Sequence, residues 1–471
     1  MNIPCFLSIL LFATPFSIFS QTQIGQTLTE FAANDTFGAS VAISDAGDRI
    51  LTSAPRFNTN GVDLAGRADA YQFDGSNWVL MGATLDGVST PLGLFGQGLD
   101  MSGSGNRIAL GNNNAQPQVY EWNETLEDWE QMGNDLEFPG QPDSDFKTFR
   151  FTADENTLVI GATSSGSDSV YQFQWDGTNW TVVGNPLEVP VENELAISDN
   201  GQTVAVLFRE SGSDNGIRIY TFNGSDWILQ FTRTFTTAFS ASDGFDLSAD
   251  GTRLVLSYVS EGGSNPDGTF ETYDLVNGVW TKTLSDLIIA NMGNNNNALR
   301  LSADGSIFIF GAGIESTTAE ASGAFIYQGV NNFWELKHHF EYENYDESIL
   351  GNVDITPDGS KVVFGRNLID TVGFVEVYDI TNVLGTNTFE TSEYQIYPNP
   401  TSGTFSIHAP RNAEISKLVV SDATGKLVQE ITFGSGDVIG DFDFNISGDA
   451  GLYFVRLISG KETNTFKLLK K

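Results

Sequence analysis

The feature that most constrains this chain is a repeat. A Ser or Thr just ahead of a tight turn recurs at Ser44, Ser102, Thr152, Ser198, Ser248, Ser302 and Thr356, at intervals of 58, 50, 46, 50, 54 and 54 residues. Around each anchor lie short apolar-alternating runs separated by turn residues, which read as antiparallel strands. In the first copy Val41-Ala42-Ile43-Ser44 is followed by the turn Asp45-Ala46-Gly47 and by Arg49-Ile50-Leu51-Thr52. A long loop leads to Gly66–Phe73, and the turn Asp74-Gly75-Ser76-Asn77 leads to Trp78–Gly82. Repeated units of this length stack, because no single unit buries its own apolar face.

Two aromatic columns keep the same register. The third strand of each copy carries Tyr71, Tyr120, Tyr171, Tyr220, Tyr273, Tyr327 or Tyr378, and the fourth opens at Trp78, Trp129, Trp180, Trp227, Trp280 or Trp334. Seven copies supply the first three strands, but after Tyr378 no Trp strand follows. Residues 23–28 (Gln-Ile-Gly-Gln-Thr-Leu) match Met81-Gly82-Ala83-Thr84-Leu85 and read as the missing fourth strand. A strand borrowed from the other end of the chain closes a ring and removes its open edge. The expected fold is therefore all-β: a seven-bladed β-propeller over 21–380, with 23–28 completing the last blade. Forty-nine glycines serve the turns, and 35 phenylalanines with eight tryptophans serve packing between blades.

Loop lengths divide the two faces of such a ring. Turns between strands one and two, and three and four, are short and regular. Loops between strands two and three (53–66, 111–117, 161–168, 209–216, 257–268, 311–323 and 365–373) are long and irregular, and irregular loops on a rigid scaffold are where binding concentrates. The alternation in Leu299-Arg300-Leu301 and Val353-Asp354-Ile355 gives these strands one buried and one more polar face.

Residues 1–20 hold an uncharged apolar core, Ile9-Leu10-Leu11-Phe12-Ala13, followed by small and polar residues. This reads as an export leader cleaved near Ser20; it is short for a membrane span, and no transmembrane segment is expected in the mature chain. The one cysteine, Cys5, falls in the leader, so disulfides and thiolate metal sites are not expected beyond it. Of 60 acidic and 23 basic side chains, nine and eight lie from Thr391 onward, which leaves 51 against 15, a net −36, before it. Such a charge repels nucleic acid and reads first as a solvated extracellular surface.

Catalytic constellations are not found. His338 and His339 are neighbours and point to opposite faces of a strand, and His408 lies in another module. Neither a histidine-based triad nor a metal or cofactor site is expected in the ring. Paired carboxylates meeting in the central funnel remain the enzymatic alternative.

After a polar linker at 381–393 the composition changes. Residues 394–471 carry short strand-like runs at Phe405–His408, Leu418–Ser421, Leu427–Thr432, Phe442–Ile446, Tyr453–Ile458 and Thr465–Leu469, which suggest a small β-sandwich. The segment contains Tyr397-Pro398-Asn399-Pro400, Gly403, Phe405, Asp422, Gly425, Gly451 and Tyr453, and ends on Lys467, Lys470 and Lys471. On these residues it resembles the type A C-terminal sorting domain of the Bacteroidota type IX secretion system. The resemblance implies the type IX machinery as partner, and an extracellular or outer-membrane surface location. The Lys467–Lys471 end is expected to present two adjacent cations, and the prolines to lock a turn.

The ring fragments Phe37-Gly38, Ser53-Ala54-Pro55 and Phe95-Gly96 are similar to those of integrin-type propellers. Calcium-binding members of that family carry an Asp-x-Asn-x-Asp-Gly loop. Here Ser248-Ala249-Asp250-Gly251 and its copies are too short and too poor in oxygens, so their Asp residues read as turn formers. The functional expectation is a non-catalytic binding or adhesion propeller, with a polysaccharide or surface-protein ligand on the long-loop face. The alternative is a carbohydrate-active propeller enzyme.

Overall fold

The computed structural model describes residues 21–471 except 30–34, 60, 88–92, 112, 114–115, 140–144, 164–168, 190, 210–214, 236–243, 260–266, 290–297, 313–322, 331, 342–348, 368–371, 385–394, 398–400, 409–415, 423–425, 434–441, 447, 449 and 460–461. The expected leader and its cleavage point near Ser20 lie outside this set. The chain divides into two units, Met1–Leu384 and Gly385–Lys471.

Each repeat begins at its anchor hydroxyl. Ser102 Oγ accepts the amide of Arg107 (3.1 Å), Ser198 Oγ that of Thr203 (2.9 Å), Ser248 Oγ that of Arg253 (2.9 Å) and Ser302 Oγ that of Ile307 (3.0 Å). The same hydroxyls donate to the side chain two residues on, as from Ser248 to Asp250 and from Ser302 to Asp304 (both 2.8 Å). A left-handed residue closes the turn. It is glycine at Gly47, Gly105, Gly201, Gly251, Gly305 and Gly359, and Glu155 (φ 56°) in the third copy. Glu155 is tied in place: its carboxylate accepts the Ser104 amide (2.6 Å) and hydroxyl (2.8 Å) from the neighbouring copy.

The described residues of the first unit form seven antiparallel sheets, each built on a four-strand path. The first strands are Val41–Ile43, Leu99–Met101, Asp145–Phe151, Val191–Ile197, Phe245–Leu247, Leu299–Leu301 and Ile349–Ile355. Each lies beside the next, and Ile349–Ile355 lies beside Val41–Ile43, so these strands surround an axis. Six sheets take their fourth strand from the same repeat. The remaining one takes Thr22–Gln23, which pairs antiparallel with Phe374–Asp379 in the register Thr22 to Asp379 and Gln23 to Tyr378. The pairing resumes at Leu28, which exchanges both backbone bonds with Val375 (3.0 Å each).

The core lies between blades rather than within them. One cluster joins Ala42, Leu51 and Ala70 of the first blade to Leu99, Ile108 and Trp129 of the second. Another joins Val363, Val375 and Val377 of the seventh to Leu28, Val41, Ile50 and Trp78. Trp78 packs on Phe73, Trp129 on Trp122, Trp180 on Trp175 and Trp227 on Phe222, with ring centroids 4.9–5.6 Å apart.

Two expectations need correction. Residues 381–384 are not linker, and the ring unit has a helical element: Thr381–Leu384 forms one turn, with Val383 buried in the core shared by the sixth and seventh blades. The Asp379 carboxylate starts it by accepting the Thr381 amide (2.9 Å), and the apolar pair Val383-Leu384 then has a surface to bury. In the second unit the sequence reading misses a strand, Gln395–Tyr397, because the prolines after it dominate the local signal.

That second unit is a two-sheet sandwich. One sheet orders Gln395–Tyr397, Thr404–His408 and Phe442–Asn445; the other orders Leu427–Thr432, Lys417–Asp422, Gly451–Ser459 and Glu462–Lys470. Alternate residues of both sheets point inward and form one core: Phe405 and Ile407 with Leu418, Val420, Val455, Leu457 and Leu468.

Candidate functional site

The penultimate residues of the seven first strands lie at one level around the axis: Ala42, Asp100, Arg150, Ala196, Asp246, Arg300 and Asp354. Ala42 and Ala196 pack into the cores between blades, whereas the five charged residues influence one another across the axis. Three carboxylates and two guanidiniums therefore meet there.

Each carboxylate performs the same structural task. Asp100 Oδ2 accepts the amide of Phe151 in the next blade (2.6 Å), Asp246 Oδ2 that of Leu301 (2.9 Å) and Asp354 Oδ2 that of Ile43 (3.0 Å). Arg150 Nη1 adds an ion pair to Asp100 Oδ1 (3.2 Å). Burial pushes the Asp100 carboxyl up to about 6; Arg150 and the Phe151 amide oppose that rise, and the Asp354 charge adds to it. Asp246 and Asp354 are raised by burial as well, against the attraction of both arginines. Burial works against the Arg150 charge, and the three carboxylates outweigh it. The group binds protons more tightly than free carboxylates do, while its oxygens are engaged in holding neighbouring blades.

A second charged cluster sits between the fourth and fifth blades. Buried Glu271 receives Arg233 Nε (2.8 Å) and Nη2 (3.0 Å), Lys282 Nζ (3.0 Å) and the Tyr273 hydroxyl (2.9 Å). Burial alone would raise this carboxyl, but these donors pull it down to about 2. Glu271 is thus a fixed anion, unsuited to proton transfer near neutrality.

The turns on the short-loop face are structural too. Burial opposes ionisation of Asp154, Asp250, Asp304 and Asp358, but hydrogen bonds from their own turns outweigh it and hold each carboxyl below its usual range. His338 and His339 stand opposite Ile326 and Phe325 on the neighbouring strand; the His339 ring stacks on Phe325 at 4.0 Å. Among the described residues no group of three or more His, Cys, Asp or Glu side chains is placed to hold a metal ion. Much of the long-loop face, where a ligand is expected, lies outside the described residues: 164–168, 210–214, 260–266, 313–322 and 368–371.

In the sandwich the residues singled out from sequence fall into separate roles. Phe405 and Tyr453 are core. Asp422 Oδ1 closes a turn by accepting the Lys426 amide (3.1 Å); Gly425, within that turn, lies outside the described residues, as do Pro398, Asn399 and Pro400. Tyr397 pairs with Ser406, Gly451 with Lys470 and Lys467 with Phe454. Gly403 has φ 130° and donates its amide to Thr401 Oγ1 (3.0 Å). Lys470 Nζ donates to the carbonyls of Ile446 (3.1 Å) and Gly448, while Lys471 is exposed. Thr401, which the sequence reading passed over, is the residue that brings Gly403, Lys470 and Lys471 together.

Residues 395–471 match the secretion system C-terminal sorting domain. That domain implies the type IX secretion machinery and delivery to the cell surface or beyond it. Among the described residues no helix is long and apolar enough to cross a membrane. No curated protein matches the chain. Among solved structures, the chain is similar to hydrazine synthase from Kuenenia stuttgartiensis, with TM-score 0.51 and 9% identity over 73% of this chain and 96% of that one. It is equally similar to the β-propeller domain of Cps50 (Swd1) from Myceliophteria thermophila, with TM-score 0.50 and 9% identity over 77% and 100%. At such identity these likenesses carry the fold, a β-propeller, and nothing about chemistry.

Proposed function

We propose that this chain is an exported propeller that binds a polysaccharide or a surface protein through its long-loop face, at the cell surface or after release. The observation that carries the reading is a sorting domain at 395–471 following a ring whose central carboxylates are spent on fastening blades. A glycosidase needs one carboxyl free to give a proton and another free to attack or to activate water. At the centre of this ring each carboxylate already accepts a backbone amide from the neighbouring blade. The integrin-like fragments Phe37-Gly38 and Ser53-Ala54-Pro55 support a holding rather than a converting role.

The test uses the ring unit produced from Gln21, applied to a glycan array and to outer-membrane protein extracts, with hydrolase assays on every glycan retained. Saturable retention without turnover is expected. Turnover of a retained glycan that is abolished in Asp100→Asn or Asp246→Asn would replace the binding reading with the enzymatic one.

A further inference from the structure

The sorting module carries its marked residues at two places far apart in sequence, just before Thr401 and at the C-terminal end. The fold joins them. The Thr401 amide donates to the Leu469 carbonyl (2.8 Å), and the Lys471 amide donates to the Thr401 carbonyl (2.9 Å). The Thr401 hydroxyl donates to the Thr404 carbonyl and accepts the Gly403 amide (3.0 Å). Thr401 is 1% exposed. The chain at Thr401 thus runs parallel to Lys470 and occupies the outward backbone groups of the last strand at its end. Glu462–Lys470 is the edge strand of its sheet, so these groups would otherwise be unpaired.

The side chains at that end are sorted as well. Leu468 is fully buried, and the Lys470 ammonium is bound to the Ile446 and Gly448 carbonyls. Leu469 is 43% exposed, and Lys471 is exposed too. Alternation puts these two on one face of the extended chain, about 7 Å apart. What the end displays is one leucine and one cation side by side, with the Thr401–Gly403 turn against them.

Resting on the export reading above, we propose that the address is a folded composite surface. The turn Thr401–Gly403 and the end Leu469-Lys470-Lys471 are read together by a protein of the type IX machinery, whose site offers an apolar pocket beside an acidic group. Thr401 is the positioning residue that joins the two parts. A linear signal read from the last residues alone would not need it.

The test is done on the full chain in a bacterium with a type IX system. Thr401→Pro removes the amide and the hydroxyl of the latch and leaves the last three residues unchanged. Its extracellular fraction should fall at least tenfold, and Thr401→Ser should export like the parent. Amide exchange on the purified Thr401→Pro chain should show lost protection at Lys471 with Val455 and Leu457 still protected. Normal export of a Thr401→Pro chain with a loosened latch overturns the proposal. If the substitution also exposes the core amides, the variant Ser402→Glu decides, because it changes the exposed face of the turn and leaves the last three residues as they are. Reduced export supports the composite surface, and unchanged export overturns it. A chain ending at Ser392 separates the two readings: its export alongside the parent overturns the export reading itself. Its retention, together with normal export of Thr401→Pro, overturns only the composite surface.

Discussion

The junction between the second and third blades and the seam between the seventh and the first fasten neighbouring blades with different parts. At the junction the chain is continuous, and Asp100 takes both the Phe151 amide and the Arg150 guanidinium. At the seam the chain passes through the strap, which joins the seventh sheet by pairing rather than by a covalent bond, and Ala42 stands where the junction has Arg150. Asp354 keeps its bond to the Ile43 amide, but no arginine follows it in the next blade. The seam compensates at the rim. Gln26 exchanges two hydrogen bonds with the Trp78 backbone (2.8 and 2.9 Å), and the Trp78 indole donates to the Ile24 carbonyl (2.7 Å). The strap therefore belongs to both blades at once, pairing with Phe374–Asp379 on one side and holding Trp78 on the other. Both places bury apolar side chains between blades; the junction adds a charged contact, whereas the seam adds backbone pairing by the strap, which neither salt nor pH removes.

The largest effect should come from starting the ring at Thr29 instead of Gln21. This removes the Val375 and Tyr378 pairings, the Trp78 bonds and buried Leu28, together about 5 kcal/mol or more. Sedimentation should show association through the bared edge, and scanning calorimetry a melting point lower by ten degrees or so. A monomer with the parent melting point would mean that the axis alone closes the ring.

Next in size is the pH response of the junction. Asp100 titrates near 6 in the folded ring and near 4 in an unfolded chain, so the folded state holds the extra proton between those values. Its contribution is full below about pH 4 and is lost as pH rises through about 6, a change of up to about 3 kcal/mol. The ring should melt at higher temperature at pH 5 than at pH 8. Asp100→Asn should shrink that difference while keeping an acceptor for the Phe151 amide. A pH dependence identical to the parent would assign the effect to overall charge repulsion.

At the seam, Asp354→Ala leaves the Ile43 amide without its acceptor and should cost about 1–3 kcal/mol, whereas Asp354→Asn should cost less than 1. Equal losses in denaturant titrations would show that charge, not the amide bond, matters there. The smallest change is Lys361→Met, which removes a half-exposed reach to the Ala46 carbonyl across the seam; a loss below about 1 kcal/mol is expected. A larger one would make that cation a main fastening between the seventh and first blades.

The blades are legible in the sequence because their determinants are local. A hydroxyl, in four copies an acid two residues on, and in six a glycine after it build each turn from within six residues, and a Trp marks six of the fourth strands. The axial column is not legible in the same way. In Leu99-Asp100-Met101 or Leu299-Arg300-Leu301 a single polar residue between apolar ones describes a solvated face as well as a ring centre. Only placing the seven first strands side by side shows that acids and arginines share one level. Thr401 is hidden for a related reason: its partners, Leu469 and Lys471, are supplied by the far end of the module. The helical turn at Thr381–Leu384 is obscured by the polar residues around Val383 and Leu384.

The strap also sets an order in time. Thr22 leaves the ribosome hundreds of residues before Asp379, its partner in the finished sheet. Until the seventh repeat has been made and has reached the compartment where folding occurs, the strap has no strand to join, and the indole of Trp78 waits with it. Closure therefore cannot precede the seventh repeat, and the long separation in sequence that it bridges makes it slow. Through that interval the growing molecule offers a bare strand edge, which makes assistance from a chaperone most valuable before the final repeat arrives.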